Sequence, residues 1–152
     1  MIIDVFKLRA KGKEEESFNL SYNPDLSVLS IPDAVFSKPV TINVLVEVYP
    51  DEVYCSGTVC YEITAPCSRC LSLVTITRNI DFDERFLPTS RKDEEDDEAL
   101  IYDRDKINLT RFINELIMTD MPYSVLCRDD CKGLCPVCGQ NLNEADCGHH
   151  IE

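Results

Sequence analysis

The chain has 152 residues and a formal net charge of −13, from 28 acidic against 15 basic residues. That length holds one ordinary domain with a real core, and such a charge excludes a protein that coats a phosphate backbone with its whole surface. Nine cysteines, in a chain with no apolar run of signal-peptide or membrane-spanning length, predict a cytoplasmic protein whose thiols serve as metal ligands rather than disulfide partners.

The N-terminal segment "MIIDVFKLRAKGKEEE" has two readings. As a strand it would align Lys7, Arg9, Lys11 and Lys13 as a basic stripe, and as a short helix it would splay them; a solvated face offset by the following glutamates is the preferred outcome. From Val40 to Val48 apolar residues alternate with mostly polar ones, the period of a half-buried strand. After the turn sequence "YPDE" the alternation resumes from Val53 to Ala65, with Cys55 and Cys60 inside it on opposite faces as packing residues. It returns beyond "PCSRC" in Val74, Ile76, Ile80, Phe82 and Phe86. These segments predict an antiparallel meander with Cys67 and Cys70 at a hairpin tip.

Residues 89–99 hold six successive acids, Asp93, Glu94, Glu95, Asp96, Asp97 and Glu98, and read as a mobile solvated loop or a strip for a cationic partner. Leu109, Phe112, Ile113, Leu116, Ile117 and Met121 then follow helical spacing over 108–121, with Asn108 or Thr110 as N-cap and Pro122 as the stop. The predicted fold is therefore α+β: an antiparallel β meander covered by one amphipathic helix, with a C-terminal zinc knuckle. Residues 1–131 form the body and 132–152 the tail.

Setting aside Cys55 and Cys60 leaves Cys67, Cys70, Cys127, Cys131, Cys135, Cys138 and Cys147, beside the chain's two histidines, His149 and His150. Seven thiolates and one imidazole fill two tetrahedral zinc sites. Three partitions are open. In the preferred one, Cys67, Cys70, Cys127 and Cys131 hold one zinc, and Cys135, Cys138, Cys147 and His149 hold the other, because the short return between Cys138 and Cys147 closes with little loop entropy. In the second, "CSRC" pairs with "CPVC" and the connections cross. In the third, one metal binds and the tail is disordered. His150 is the alternative last ligand. Neither site keeps an open position, and no Ser-His-Asp set, phosphate loop or thioredoxin-like context is present, so the chain reads as a non-enzyme.

"CSRC" after a strand, an acidic middle, a helix ending in "MP", and "LCRDDCKGLCPVCGQNLNEADCGH" together resemble the YceD family of large ribosomal RNA subunit accumulation proteins, from about Val40 to His149. Some members of that family lack the "CPVCG" knuckle yet keep the CxxC pair and two later ligands, one sometimes His where this chain has Cys127, which implies that the site of Cys67, Cys70, Cys127 and Cys131 is the older one. Others end in CxC where this chain has Cys147 and His149. The resemblance implies a ribosome-assembly factor, with a small basic large-subunit ribosomal protein or precursor large-subunit ribosomal RNA as partner. The negative charge favours the basic protein. Local RNA contact would fall to Arg69, Arg78, Arg128 and Lys132, whose alternative role is to support the zinc ligands. The competing reading is a redox- or zinc-responsive switch.

Overall fold

The computed structural model describes residues 1–91 and 99–149. The six acids Asp93 to Glu98, and His150, lie outside the described residues. The chain forms β1 (Ile2–Asp4), α1 (Val5–Ala10), β2 (Glu15–Tyr22), β3 (Val35–Phe36), β4 (Val40–Val48), β5 (Val53–Pro66), β6 (Leu73–Pro88), β7 (Leu100–Tyr102), β8 (Lys106–Asn108) and α2 (Leu109–Asp120).

The fold is α+β, and its sheet is mixed rather than a pure antiparallel meander. Strands β4, β5 and β6 are consecutive antiparallel neighbours, as the alternation predicted. Strand β2 adds antiparallel to β4 at one edge, and β7 adds to β6 in parallel at the other. Strand β3 pairs with part of β5, while β1 and β8 form a separate antiparallel ribbon. One helix was expected and two α-helices are present among the described residues. The first six-residue helix, α1, is capped by the Asp4 side chain, which accepts the Lys7 N–H, and it buries Val5 and Leu8. The strand form of this segment, and with it the basic stripe, does not occur: Arg9 reaches Asp105 at 3.6 Å and Lys13 reaches Glu16 at 2.6 Å.

The alternating residues build the core. Val40, Ile42, Val44 and Val46 of β4 and Val53, Cys55, Val59, Tyr61 and Ile63 of β5 are buried on one face. Cys55 belongs to that core, whereas Cys60 lies on the opposite, partly exposed face. Over them lies α2, burying Leu109, Phe112, Ile113 and Ile117; Phe112 meets the edges of Phe82 and Phe86 at ring-centroid distances of 5.3 and 5.7 Å. Asn108 is its N-cap, accepting from the Arg111 N–H at 3.2 Å.

The far end of α2 is held by a polar clamp. Tyr61, itself buried, donates its hydroxyl to Asp120 at 2.8 Å, and Arg78 donates two bonds to the same carboxylate at 3.0 and 2.9 Å. The Arg78 bonds hold the Asp120 carboxyl below the usual carboxylate range; burial opposes them and the Tyr61 hydroxyl reinforces them. A depressed carboxylate contributes stability above its unfolded pKa and loses it as the pH falls through the folded one. Asp120→Asn is therefore expected to lower stability at neutral pH by about 1–2 kcal/mol, the lower range for a bond to a charged group because Arg78 is partly solvated. In paired urea titrations the gap between variant and wild type should close as the pH drops below about 4, the ordinary aspartate range. A gap that persists at acid pH would assign the loss to packing instead.

The clamp aims the chain. Beyond α2 it runs back along the sheet until the Val125 carbonyl accepts the Ser68 N–H at 2.8 Å, at the tip of the β5–β6 hairpin. Cys127 follows two residues later.

Candidate metal centres

Both CxxC segments fold into the same turn. At the hairpin tip the Leu71 N–H donates to the Cys67 carbonyl at 3.0 Å, and the Cys67 N–H donates to the Ser72 carbonyl at 2.8 Å. In the tail the Gly139 N–H donates to the Cys135 carbonyl at 2.8 Å, and the Cys135 N–H donates to the Gln140 carbonyl at 2.8 Å. The residue after each pair is left-handed, with φ of +76° at Gly139 and +62° at Leu71. Glycine takes that conformation without strain; leucine does so only where the surroundings require it.

These turns assemble two groups of four. Cys67, Cys70, Cys127 and Cys131 have all four sulfurs within 4.8 Å of one another, with Cys67 to Cys131 at 3.8 Å and Cys70 to Cys127 at 3.6 Å. Cys135, Cys138, Cys147 and His149 form the second group within the same limit, His149 turning Nδ1 toward Cys135 Sγ at 3.9 Å. Tetrahedral zinc with Zn–S bonds of about 2.3 Å needs sulfurs about 3.8 Å apart, so the donor spacing is compatible with metal coordination. All nine cysteines are free of disulfides.

The electrostatics of the sulfurs also suit a cation. Burial would raise Cys67, but N–H groups of Cys70, Arg69 and Cys127 outweigh it and bring the thiol down to about 6. Cys135 is likewise drawn down to about 6, by the N–H groups of Cys138 and Val137 against burial. Cys70 is lowered too, first by its hydrogen bond with Ser72, whereas Cys127 and Cys147 move the other way. Cys127 is pushed up to about 12, first by the Cys131 sulfur, then by burial and the remaining thiols. Each cluster thus stabilises some of its thiolates and resists the others, which is the condition a divalent ion relieves by supplying positive charge.

The four cations suggested for RNA have different situations. Arg69 donates to the Cys131 carbonyl at 3.0 Å, bracing the first cluster. Arg128 donates to Asn143 Oδ1 at 2.8 Å and lies 3.4 Å from Asp130. Lys132 is exposed, and its backbone N–H donates to the same Asn143 oxygen at 2.8 Å. Arg78 sits on β6, where it donates to the Asp120 carboxylate at 3.0 and 2.9 Å. Asn143 was missed in the sequence, where an amide in a polar return has no pattern to mark it. Gly133 is buried under the first cluster with φ +76°, and a side chain there would lie 3.2 Å from the Arg69 carbonyl oxygen.

No helix among the described residues is long and apolar enough to cross a membrane. No solved structure matches the chain. Uncharacterized proteins of Mycobacterium bovis and Mycobacterium tuberculosis are 31% identical over 159 residues, covering all of this chain and 75% of their own length. YlbN of Bacillus subtilis is 29% identical over 144 residues, covering 91% of this chain and 84% of its own. Residues 55–152, which include both clusters and the hairpin that carries the first, match the family described as large ribosomal RNA subunit accumulation protein YceD. The chain belongs to the YceD family.

Proposed function

We propose that this protein is a non-catalytic, two-zinc factor of ribosome assembly that supports accumulation of large-subunit ribosomal RNA by holding a basic ribosomal protein. The observation that carries the metal assignment is the repeated turn: two CxxC segments with the same backbone bonds, each completing a set of four donors and leaving no fifth position. Cys67, Cys70, Cys127 and Cys131 hold one zinc; Cys135, Cys138, Cys147 and His149 hold the second. Residues 1–131 act as the body and 132–152 as a tail packed on it. The zinc ions are structural, tying the hairpin tip to the segment beyond α2 and closing the tail.

A protein partner is preferred over RNA for two reasons. The chain carries −13 before any thiolate is counted. All three candidate RNA-binding arginines are also engaged within the protein, Arg69 on the Cys131 carbonyl, Arg78 on Asp120 and Arg128 on Asn143. Asp93 to Glu98 supply the strip for the basic partner. The test is retention of protein and RNA from cell extract at moderate salt by the wild type and by a variant with these six acids changed to Asn and Gln. The expected result is loss of a basic ribosomal protein, mimicked by added salt. RNA retention unchanged or increased by neutralisation, and abolished by Arg69→Ala with Lys132→Ala, would move the assignment to RNA.

A further inference from the structure

The two clusters are joined by one side chain. Asn143 lies in the return between Cys138 and Cys147, so its place in space depends on closure of the second cluster. Its amide nevertheless serves the first. The oxygen is identified by its partners: Arg128 Nη2 and the Lys132 backbone N–H can only donate, and both lie 2.8 Å from Oδ1. That leaves Nδ2 to donate to Cys131 Sγ at 3.3 Å and to Asn141 Oδ1 at 2.9 Å. Asn141 Oδ1 also accepts the Asn143 N–H at 3.1 Å. The Leu142 N–H donates to the Gly133 carbonyl at 2.9 Å, and Leu134 bridges Asn141. The return is thus fastened along its length to the segment carrying Cys131.

An N–H donated to a thiolate withdraws charge from the sulfur. Four thiolates on one zinc leave a net charge of about −2, so such donors keep the first site from losing its metal or a ligand to protons. We propose that Asn143 is a positioning residue for the first metal site, supplied by the loop of the second, so that closure of the tail site sets how tightly the first site keeps its metal. The inference rests on the two-zinc reading above. It makes the tail a sensor: metal loss at Cys135, Cys138, Cys147 and His149 releases Asn143 and weakens the first site.

The test uses the full chain loaded with cobalt, read by its thiolate-to-metal absorption and by transfer of metal to a chromophoric chelator. Asn143→Leu removes both functions of the amide. Asn143→Asp keeps an oxygen for Arg128 and Lys132 but replaces the donor facing Cys131. Both variants should still take up two equivalents, shift the charge-transfer band of the first site to lower energy, and release its metal about tenfold faster, the scale on which outer-shell partners of metal ligands act. Cys138→Ser should quicken release from the first site as well. A band and release rate in Asn143→Asp like those of the wild type would overturn the inference and leave Asn143 a loop fastener only. Failure of the wild type to take up metal at all would instead remove the two-zinc reading beneath it.

Discussion

Cys70→Ser is expected to loosen the whole domain, whereas Cys138→Ser is expected to unravel chiefly the tail. The difference follows from what each cluster joins. The first cluster links the tip of the β5–β6 hairpin to the chain beyond α2, whose neighbouring contacts there are the Ser68–Val125 and Arg69–Cys131 bonds. Because an unfolded chain has no preformed site, metal binding there is folding free energy, and its loss belongs with the severe mutational effects, about 4 kcal/mol or more. The second cluster closes only the short return between Cys138 and Cys147, so its loss leaves the hairpin tip joined to the chain beyond α2. Wild type purified without added metal should hold close to two equivalents, and each variant close to one. Thermal melting then decides: equal, small shifts in the two variants would contradict this division of roles.

Gly57→Ala should destabilise the body while leaving both clusters chemically untouched. Gly57 falls on the core-facing side of β5 between buried Cys55 and Val59, where a side chain would be the rule. A methyl group at this position would overlap the Asn43 carbonyl oxygen of the adjacent β4 and lie 3.0 Å from Val44 Cα. Backbone cannot move aside as a flexible side chain can, so the β4–β5 pairing must open. A loss of about 1–3 kcal/mol, the usual range for overpacking, is expected, and Gly57→Val should exceed it. Urea unfolding followed by β-sheet circular dichroism measures this. A neutral alanine variant would mean that β4 and β5 relax apart there at no cost.

How the clusters join was legible because their chemistry is local. Two CxxC pairs, Cys127, Cys131, Cys147 and one histidine count to eight donors, and short loops close with little entropy, so the same fours that spacing favours are brought together in space. The central strands and α2 were legible for a similar reason: nine to sixteen residues per strand and twelve in the helix are enough to repeat a period of two or of 3.6.

The tertiary structure alone decided the rest. Strands β1 and β8 have three residues each, too few to show a period, and they exist because Ile2 meets Asn108 across the length of the chain. The N-terminal segment became a helix once Asp4 capped it and Val5 and Leu8 had a core to enter, a choice its composition left balanced. The parallel placement of β7 required β6 as a template. The pairing of Arg78 with Asp120 has no sign in the sequence, because Asp120 comes to it from the end of α2. Leu71 in a left-handed turn and Asn143 on the Cys131 sulfur have no sequence mark of their own. Periodicity and spacing report what neighbours along the chain do; a hydrogen bond between distant segments is set by the packing that brings them together.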